Sequence, residues 1–125
     1  MGKAKVKIVL AEDDKFISKA YQDGLRRGNY EVIPAFNGIE AVEKIKAEKP
    51  DLILLDIIMP DKNGFEVLEE IKIIPELKNI PVIFLSNLGQ ETDIQKGREL
   101  GAVDYLIKSN FSMKEVISKI SEYLK

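Results

Sequence analysis

The segment LILLDIIMPDKNG, residues 52–64, runs from four aliphatic residues into a single acid, Asp56, and then into a turn. An uninterrupted aliphatic run of this length is typical of a strand that is covered on both faces of a sheet. A carboxylate at the end of such a strand loses solvation, so it usually has a charged partner or a chemical task. The segment therefore predicts a buried strand that delivers Asp56 to a functional site.

Working outward, further strand-length runs alternate with segments of helical spacing along the chain. The predicted strands are residues 6–11, 31–35, 52–55, 81–85 and 103–107. The apolar positions with helical spacing are Phe16, Ile17, Ala20, Tyr21 and Leu25; Ile39, Val42 and Ile45; Phe65, Leu68 and Ile71; Ile94 and 97–100; and Val116, Ile117, Ile120 and Leu124. Parallel neighbours need a crossover, and five successive strand–helix units therefore predict an α/β protein with a parallel sheet and helices on both faces.

Local signals mark the ends of several predicted helices. Ser112 is followed three residues later by Glu115, which is the pattern of a capping box at the start of the last helix. Gly28 and Gly101 stand where the first and fourth helices should end.

Composition narrows the classes of function that the chain can have. Its 125 residues, 45% of them hydrophobic, suffice for one domain with a core, which we assign to residues 1–125. The sequence has no cysteine and no histidine, so any metal must be held by oxygen ligands. The 19 basic and 21 acidic residues are scattered, which argues against direct nucleic-acid binding. The apolar runs are too short for a membrane span, and we expect a cytoplasmic protein.

Parallel strands end at one edge of their sheet, and open α/β sheets bind ligands there. The residues at these ends are Glu12, Asp13, Asp14, Asp56, Ser86 and Lys108. Acids that converge from two strands repel one another unless a cation joins them, and Mg²⁺ suits a few carboxylates plus water. Asp13 with Asp56 favours a metal site, whereas Asp14 is better explained as an acid at a helix start.

Lys108 and Ser86 each have an ordinary explanation as well as a functional one. A lysine at the end of an apolar strand commonly extends its ammonium group to the surface, and a serine there commonly belongs to a turn. Opposite the acids and a metal, Lys108 could instead hold a phosphate and Ser86 could donate its hydroxyl to a phosphoryl oxygen.

Four segments in this order, VLAEDD, LILLDIIMPDKNGFEVL, IPVIFLSN and GAVDYLIKS, resemble the receiver domain of two-component response regulators over essentially the whole chain. The resemblance implies a flavodoxin-like fold with five strand–helix units and the strand order 2-1-3-4-5, an order for which a receiver protein is a standard example.

The resemblance also implies roles for individual residues. It makes Asp56 the phosphoacceptor, with Ser86 and Lys108 contacting the phosphoryl group and Tyr105 acting as a rotameric switch. It assigns Mg²⁺ to Asp13, Asp56 and the backbone carbonyl of Ile58, with Glu12 assisting through water. The implied activity is Mg²⁺-dependent transfer of a phosphoryl group to Asp56, so the domain catalyses its own phosphorylation and dephosphorylation without being an enzyme in the usual sense.

The implied partners are a histidine kinase or phosphotransfer protein as phosphodonor, and a downstream protein or output domain that binds the face of helix 4, strand 5 and helix 5. The resemblance also allows a dimer that forms on phosphorylation. The sequence departs from the family at two positions. Ser109 replaces a proline that usually follows a cis peptide bond, which leaves the geometry of that bond open, and Asn87 replaces a small residue.

Three other interpretations fit the same layout. A small metal-dependent phosphatase or phosphotransferase would need a substrate pocket and inserted loops, whereas this chain has no long insertion. A flavodoxin-like binding module would need a phosphate-cradling loop after the first strand, where the sequence AEDDK repels phosphate. A receiver-like module that is never phosphorylated would not need the full set of acids, hydroxyl and lysine that is present.

Overall fold

The computed structural model describes residues 5–124, which alternate strictly between strands and helices. The strands are β1 (Lys7–Ala11), β2 (Glu31–Ala35), β3 (Leu52–Leu55), β4 (Val82–Ser86) and β5 (Asp104–Ile107). The helices are α1 (Lys15–Arg27), α2 (Gly38–Glu48), α3 (Gly64–Lys72), α4 (Glu91–Glu99) and α5 (Met113–Tyr123), with a 3₁₀ turn at Lys108–Asn110 between β5 and α5. Every strand lies within one residue of its predicted bounds.

All five strands are parallel and are arranged in the order β2-β1-β3-β4-β5. Val9 of β1 lies opposite Ile53 of β3, and Leu55 lies opposite Phe84 of β4. This arrangement confirms the predicted flavodoxin-like fold of a single domain. It also places the strands that precede the acids, β1 and β3, side by side.

Alternate residues of β3 enter two different apolar cores. Leu52 and Leu54 face the core that is closed by α1 and α5, whereas Ile53 and Leu55 face the core beneath α2 and α3. All four side chains are fully buried, which explains why the sequence of this strand shows no polar alternation. Among residues 5–124, no helix is long and apolar enough to cross a membrane.

The buried face of α1 agrees with the predicted one only in part: Leu25 is buried and Tyr21 packs against the same core, as predicted. Phe16 is 91% exposed and Ala20 is also exposed, whereas Ser18 and Gly24 are buried. The prediction was wrong at Phe16 and Ala20 because it followed hydrophobicity alone, whereas the buried stripe includes a serine and a glycine. Ile39 at the start of α2 is likewise half exposed, contrary to the prediction that it belongs to the apolar face.

Helix α4 has fewer buried residues than the other four α-helices. Gly97 is the buried residue among the nine described residues of α4, and the Gln90 side chain does not cap the helix. A Cβ atom at Gly97 would lie 3.0 Å from the ring of Phe84 and 3.4 Å from that of Tyr105, so the glycine allows α4 to approach these two rings closely.

The predicted capping box of α5 is present, as are the predicted helix ends at Gly28 and Gly101. The Ser112 hydroxyl accepts a hydrogen bond from the Glu115 amide at 3.1 Å, and the Glu115 carboxylate accepts one from the Ser112 amide at 2.9 Å. The sequence interpretation overlooked a similar box at α3, where Asn63 and Glu66 exchange the equivalent bonds.

Replacing Ser112 with alanine should lower the free energy of unfolding by about 1 kcal/mol, because the first turn of α5 loses its side-chain acceptor. Urea denaturation followed by circular dichroism measures the change. Ser118 lies within α5 and is exposed, so Ser118→Ala should leave stability unchanged or raise it slightly. Equal stability losses in the two variants would refute the capping role.

Candidate functional site

A crevice of about 340 Å³ lies at the carboxyl edge of the sheet. The backbone ladder continues just beyond the strands: the Asp56 amide donates to the carbonyl of Ala11 and the Glu12 amide to that of Ala35, both at 3.0 Å. The positions of both acids are thus set by the sheet. The crevice is lined by Glu12, Asp13, Asp14, Ile17, Asp56, Ile58, Ser86, Asn87, Leu88 and Lys108. It brings together every predicted site residue except Tyr105.

Three carboxylates converge in this crevice. One oxygen atom from each of Glu12, Asp13 and Asp56 lies within 4.8 Å of the others. Glu12 and Asp56 are buried, whereas Asp13 is exposed at the mouth of the crevice. A cluster of hard oxygen donors that is open on one side fits Mg²⁺, which keeps several water ligands. These residues could therefore hold the ion that the sequence predicts.

The positive charge of Lys108 offsets part of the negative charge of the buried acids Glu12 and Asp56. Its ammonium group donates to Asp56 Oδ2 at 2.9 Å and also to Glu12 Oε1. Burial alone would lower the pKa of Lys108, but its hydrogen bonds with the two carboxylates raise it above the usual value. Burial raises the pKa of Glu12 to about 7, although the contact with Lys108 opposes this rise. Sequence reasoning placed Lys108 opposite the acids but did not foresee its direct contact with Glu12.

Asp14 belongs to the start of α1, as expected. Its Oδ1 accepts hydrogen bonds from the amides of Phe16 at 2.9 Å and Ile17 at 3.0 Å. Its own amide donates to Glu12 Oε2 at 3.0 Å, which helps to orient that carboxylate. Asp14 therefore lines the crevice while its carboxylate caps the helix.

The loop between β3 and α3 is held against Asp56 by a glycine. The Gly64 amide donates to the carbonyl of Ile57 at 2.8 Å, and a Cβ atom at Gly64 would lie 2.2 Å from the backbone oxygen of Asp56. No side chain fits at that distance. The Asn-Gly pair at the end of the opening segment thus closes the loop tightly around Asp56, leaving Ile58 61% exposed beside the crevice.

The loop after β4 connects the crevice to Tyr105. Ser86 Oγ accepts a hydrogen bond from the Leu88 amide at 3.3 Å, and the Tyr105 hydroxyl donates to the carbonyl of Leu88. Tyr105 is buried against Phe84, with ring centroids 5.9 Å apart. Burial, assisted by the charge of Asp93, raises the pKa of Tyr105 to about 12. Every residue has a backbone carbonyl, so the sequence does not indicate which carbonyl the Tyr105 hydroxyl contacts, and this hydrogen bond could not be predicted.

The structure answers the question raised by Ser109. The peptide bonds of residues 5–124 are all trans, including the one between Lys108 and Ser109. Lys108, Ser109 and Asn110 form a 3₁₀ turn directly after β5. Asn87, the other departure from the family pattern, is exposed and lines the crevice.

Comparison with known families identifies the class of protein that this fold and crevice define. The family model described as "Response regulator receiver domain" matches residues 8–121. The chain therefore belongs to the response regulator receiver domain family, as its sequence motifs predicted.

Solved receiver structures share the fold over nearly their whole length. The receiver domain of the Francisella response regulator 1452 is 30% identical, with a TM-score of 0.87, and the match covers 96% of this chain and 97% of that one. The chemotaxis protein CheY4 of Vibrio cholerae is 26% identical, with a TM-score of 0.90 and coverages of 97% and 100%. The non-phosphorylated HemR receiver domain of Leptospira biflexa is 30% identical, with a TM-score of 0.87 and coverages of 97% and 95%.

Proposed function

We propose that this receiver domain accepts a phosphoryl group on Asp56 from a histidine kinase or phosphotransfer protein, in a reaction that depends on Mg²⁺. The observation that carries the proposal is the position of Asp56: it is buried between a lysine ammonium group 2.9 Å away and two further carboxylates. That arrangement suits a nucleophile whose charge must be balanced before and after it reacts. The proposal places the protein in the cytoplasm together with its phosphodonor.

In the proposed reaction an oxygen atom of Asp56 attacks the phosphorus of a phosphohistidine. The phosphorus–nitrogen bond breaks, the imidazole leaves, and an acyl phosphate forms on Asp56. Glu12, Asp13, Asp56 and the Ile58 carbonyl would hold Mg²⁺, which neutralises phosphoryl charge when bound. Lys108 would move part of its contact from the acids to a phosphoryl oxygen, and Ser86 would donate its hydroxyl to another. Catalysis then consists of positioning and charge balance, and it needs no general base.

These 125 residues contain no histidine, so a phosphohistidine donor must lie outside them. Phe16 supports a protein donor, since this large apolar side chain is 91% exposed and is followed directly by Ile17, which lines the crevice. An exposed aromatic side chain beside a reactive site is a typical anchor for a docking protein.

Intact-mass analysis with acetyl phosphate and Mg²⁺ tests the proposal directly. The native chain should gain the mass of one phosphoryl group, and Asp56→Asn should gain none because it lacks the nucleophile. Asp61→Asn is the matched control: Asp61 is an exposed acid in the same loop, and asparagine tolerates its positive φ of 71°. A phosphorylated Asp56→Asn variant, or a native chain that gains no mass, would contradict the assignment.

We propose further that phosphorylation is communicated to a downstream partner through the face formed by α4, β5 and α5. The support is the contact of Tyr105 on β5 with the carbonyl of Leu88, two residues after Ser86. If Ser86 moves towards a phosphoryl group, the Leu88 backbone and its bond with Tyr105 must adjust. A phosphate that favours one arrangement would shift the population of the whole face.

Binding of the phosphate mimic beryllofluoride should therefore shift the backbone amide resonances of α4 and β5. In Tyr105→Phe these shifts should shrink, because the hydroxyl bond to Leu88 is lost, while the shifts of residues that line the crevice persist. Tyr30→Phe serves as the control, since Tyr30 lies outside both the crevice and this face. Two-dimensional NMR spectra of the native chain and of the two variants, with and without beryllofluoride, measure these shifts. Unchanged resonances on the face of the native chain would refute this output route.

A further inference from the structure

A second cavity, of about 370 Å³, lies between α1 and α5 and opens to solvent. It is lined by Gly24, Arg27, Gly28, Met113, Lys114 and Ile117. None of these residues lines the crevice around Asp56. We call this cavity the α1–α5 groove. It is a separate feature of the surface, and the proposed phosphorylation chemistry makes no use of it.

The floor of the α1–α5 groove depends on a glycine inside a helix. A Cβ atom at Gly24 would lie 2.5 Å from Met113 Sδ, so the missing side chain lets the thioether rest on the backbone of α1. Glycine within a helix costs roughly 1 kcal/mol relative to alanine. Methionine is flexible and polarisable and adapts to different apolar partners. Gly24 thus lowers the stability of α1 at the position that shapes this groove.

The rim of the groove carries two cations. Arg27 and Lys114 are exposed, and neither forms an ion pair within residues 5–124. Lys114 is the second residue of α5, where the helix dipole favours an acid over a base. The chain as a whole has a net charge of −2. Arg27 stands in the last turn of α1, where the helix dipole favours a cation, but neither helix stability nor overall composition accounts for Lys114. Together the two exposed cations would complement a negatively charged partner.

We propose that the α1–α5 groove binds an acidic amphipathic helix of a partner protein. Apolar side chains of that helix contact Met113 and Ile117, and its flanking carboxylates pair with Arg27 and Lys114. A groove between two helices with an apolar floor and charged rim is the usual receptor for such a helix. Local departures from the rules of helix stability are expected at functional sites, and here two of them, Gly24 and Lys114, meet in one place.

Two synthetic helical peptides test the proposal by NMR titration of the ¹⁵N-labelled chain. Both carry leucines at helical spacings of three and four, flanked by glutamates in one peptide and by lysines in the other. The acidic peptide should produce saturable shifts at the amides of Gly24, Gly28 and Ile117, and the basic peptide should not. The Arg27→Glu, Lys114→Glu variant should bind the acidic peptide at least about tenfold more weakly, because two ion pairs are lost.

The control variant Lys44→Glu, Arg98→Glu makes the same charge change at exposed positions of α2 and α4, on the other side of the sheet, and should bind like the native chain. Equal binding of the two peptides, shifts outside the groove, or no saturable shift below about 1 mM peptide would each overturn the proposal. So would sedimentation data showing that the free chain dimerises through this groove, since a second copy would then be its occupant. Asp56→Asn should bind the peptide normally, so a failure of phosphorylation would not be confused with a failure here.

Discussion

An Asp13→Ala variant is expected to bind Mg²⁺ at least about tenfold more weakly than the native chain. Asp13 supplies the exposed member of the three carboxylates whose oxygen atoms lie within 4.8 Å of one another. Removing it would delete one proposed ligand and one negative charge from the open side of the site, while Lys108 continues to compete for Asp56 and Glu12. Isothermal titration calorimetry with MgCl₂ measures the affinity.

Asp14→Ala provides the control, because Asp14 is the neighbouring acid and lines the same crevice. Its carboxylate caps α1, so its loss should lower the free energy of unfolding by about 1 kcal/mol and leave the Mg²⁺ affinity nearly unchanged. Native-like Mg²⁺ binding by Asp13→Ala, or a larger loss in Asp14→Ala, would show that the metal is held elsewhere or by a different set of acids.

The second large effect concerns the lifetime of the phosphorylated state, which we expect to be comparatively long. Hydrolysis requires a water molecule in line with the bond to Asp56, and the resemblance to the receiver family implies that the side chains at Ile58 and Leu88 control its access. Both side chains are apolar and line the crevice. Ile58 is 61% exposed, so it can cover a phosphoryl group instead of packing into the protein. Neither side chain can orient an attacking water by hydrogen bonding.

The Ile58→Asn, Leu88→Glu variant should therefore lose its phosphoryl group faster, by a factor on the order of 10 to 100, because polar side chains admit and orient water. The protein is phosphorylated, the donor is removed, and the remaining phosphorylated fraction is followed by intact mass. Ile73→Asn, Val103→Glu makes the same kinds of change at exposed apolar positions outside the crevice and should decay at the native rate. If the native chain decays as fast as the crevice variant, shielding by these residues is not what limits hydrolysis, and Asn87 becomes the candidate that positions water.

The sheet and the members of the crevice could be predicted because they depend on strong, local signals. A buried parallel strand requires an aliphatic run such as residues 52–55, and the residue that follows each run must lie at the same edge of the sheet. The residues therefore specify both the parallel sheet and the edge at which the polar side chains meet. The strand order and individual roles were expected from the resemblance to the receiver family, and the order is confirmed by the structure.

The structural features that the sequence did not predict involve groups that occur in many different environments. Ser18 and Gly24 of α1 are buried, Gly24 against Met113 of α5. Serine and glycine are not hydrophobic, so their burial could not be predicted from the hydrophobic pattern of the helix. The contact of Tyr105 with the Leu88 carbonyl spans 17 residues and uses a backbone acceptor that every residue possesses. Such contacts follow from the packed arrangement and carry no signature in the order of the residues.

The small number of buried residues in α4 has an energetic consequence for signalling. Gly97 is buried and Ile94 is partly buried against the core, so separating α4 from the sheet is expected to cost less than unfolding the domain. Under the proposed function, the contacts of a phosphoryl group on Asp56 need only favour one position of such a helix, and this shift does not require any change in β3. The structure around Asp56 can therefore stay rigid while α4 changes its position on phosphorylation, because α4 is among the least stably packed parts of the domain.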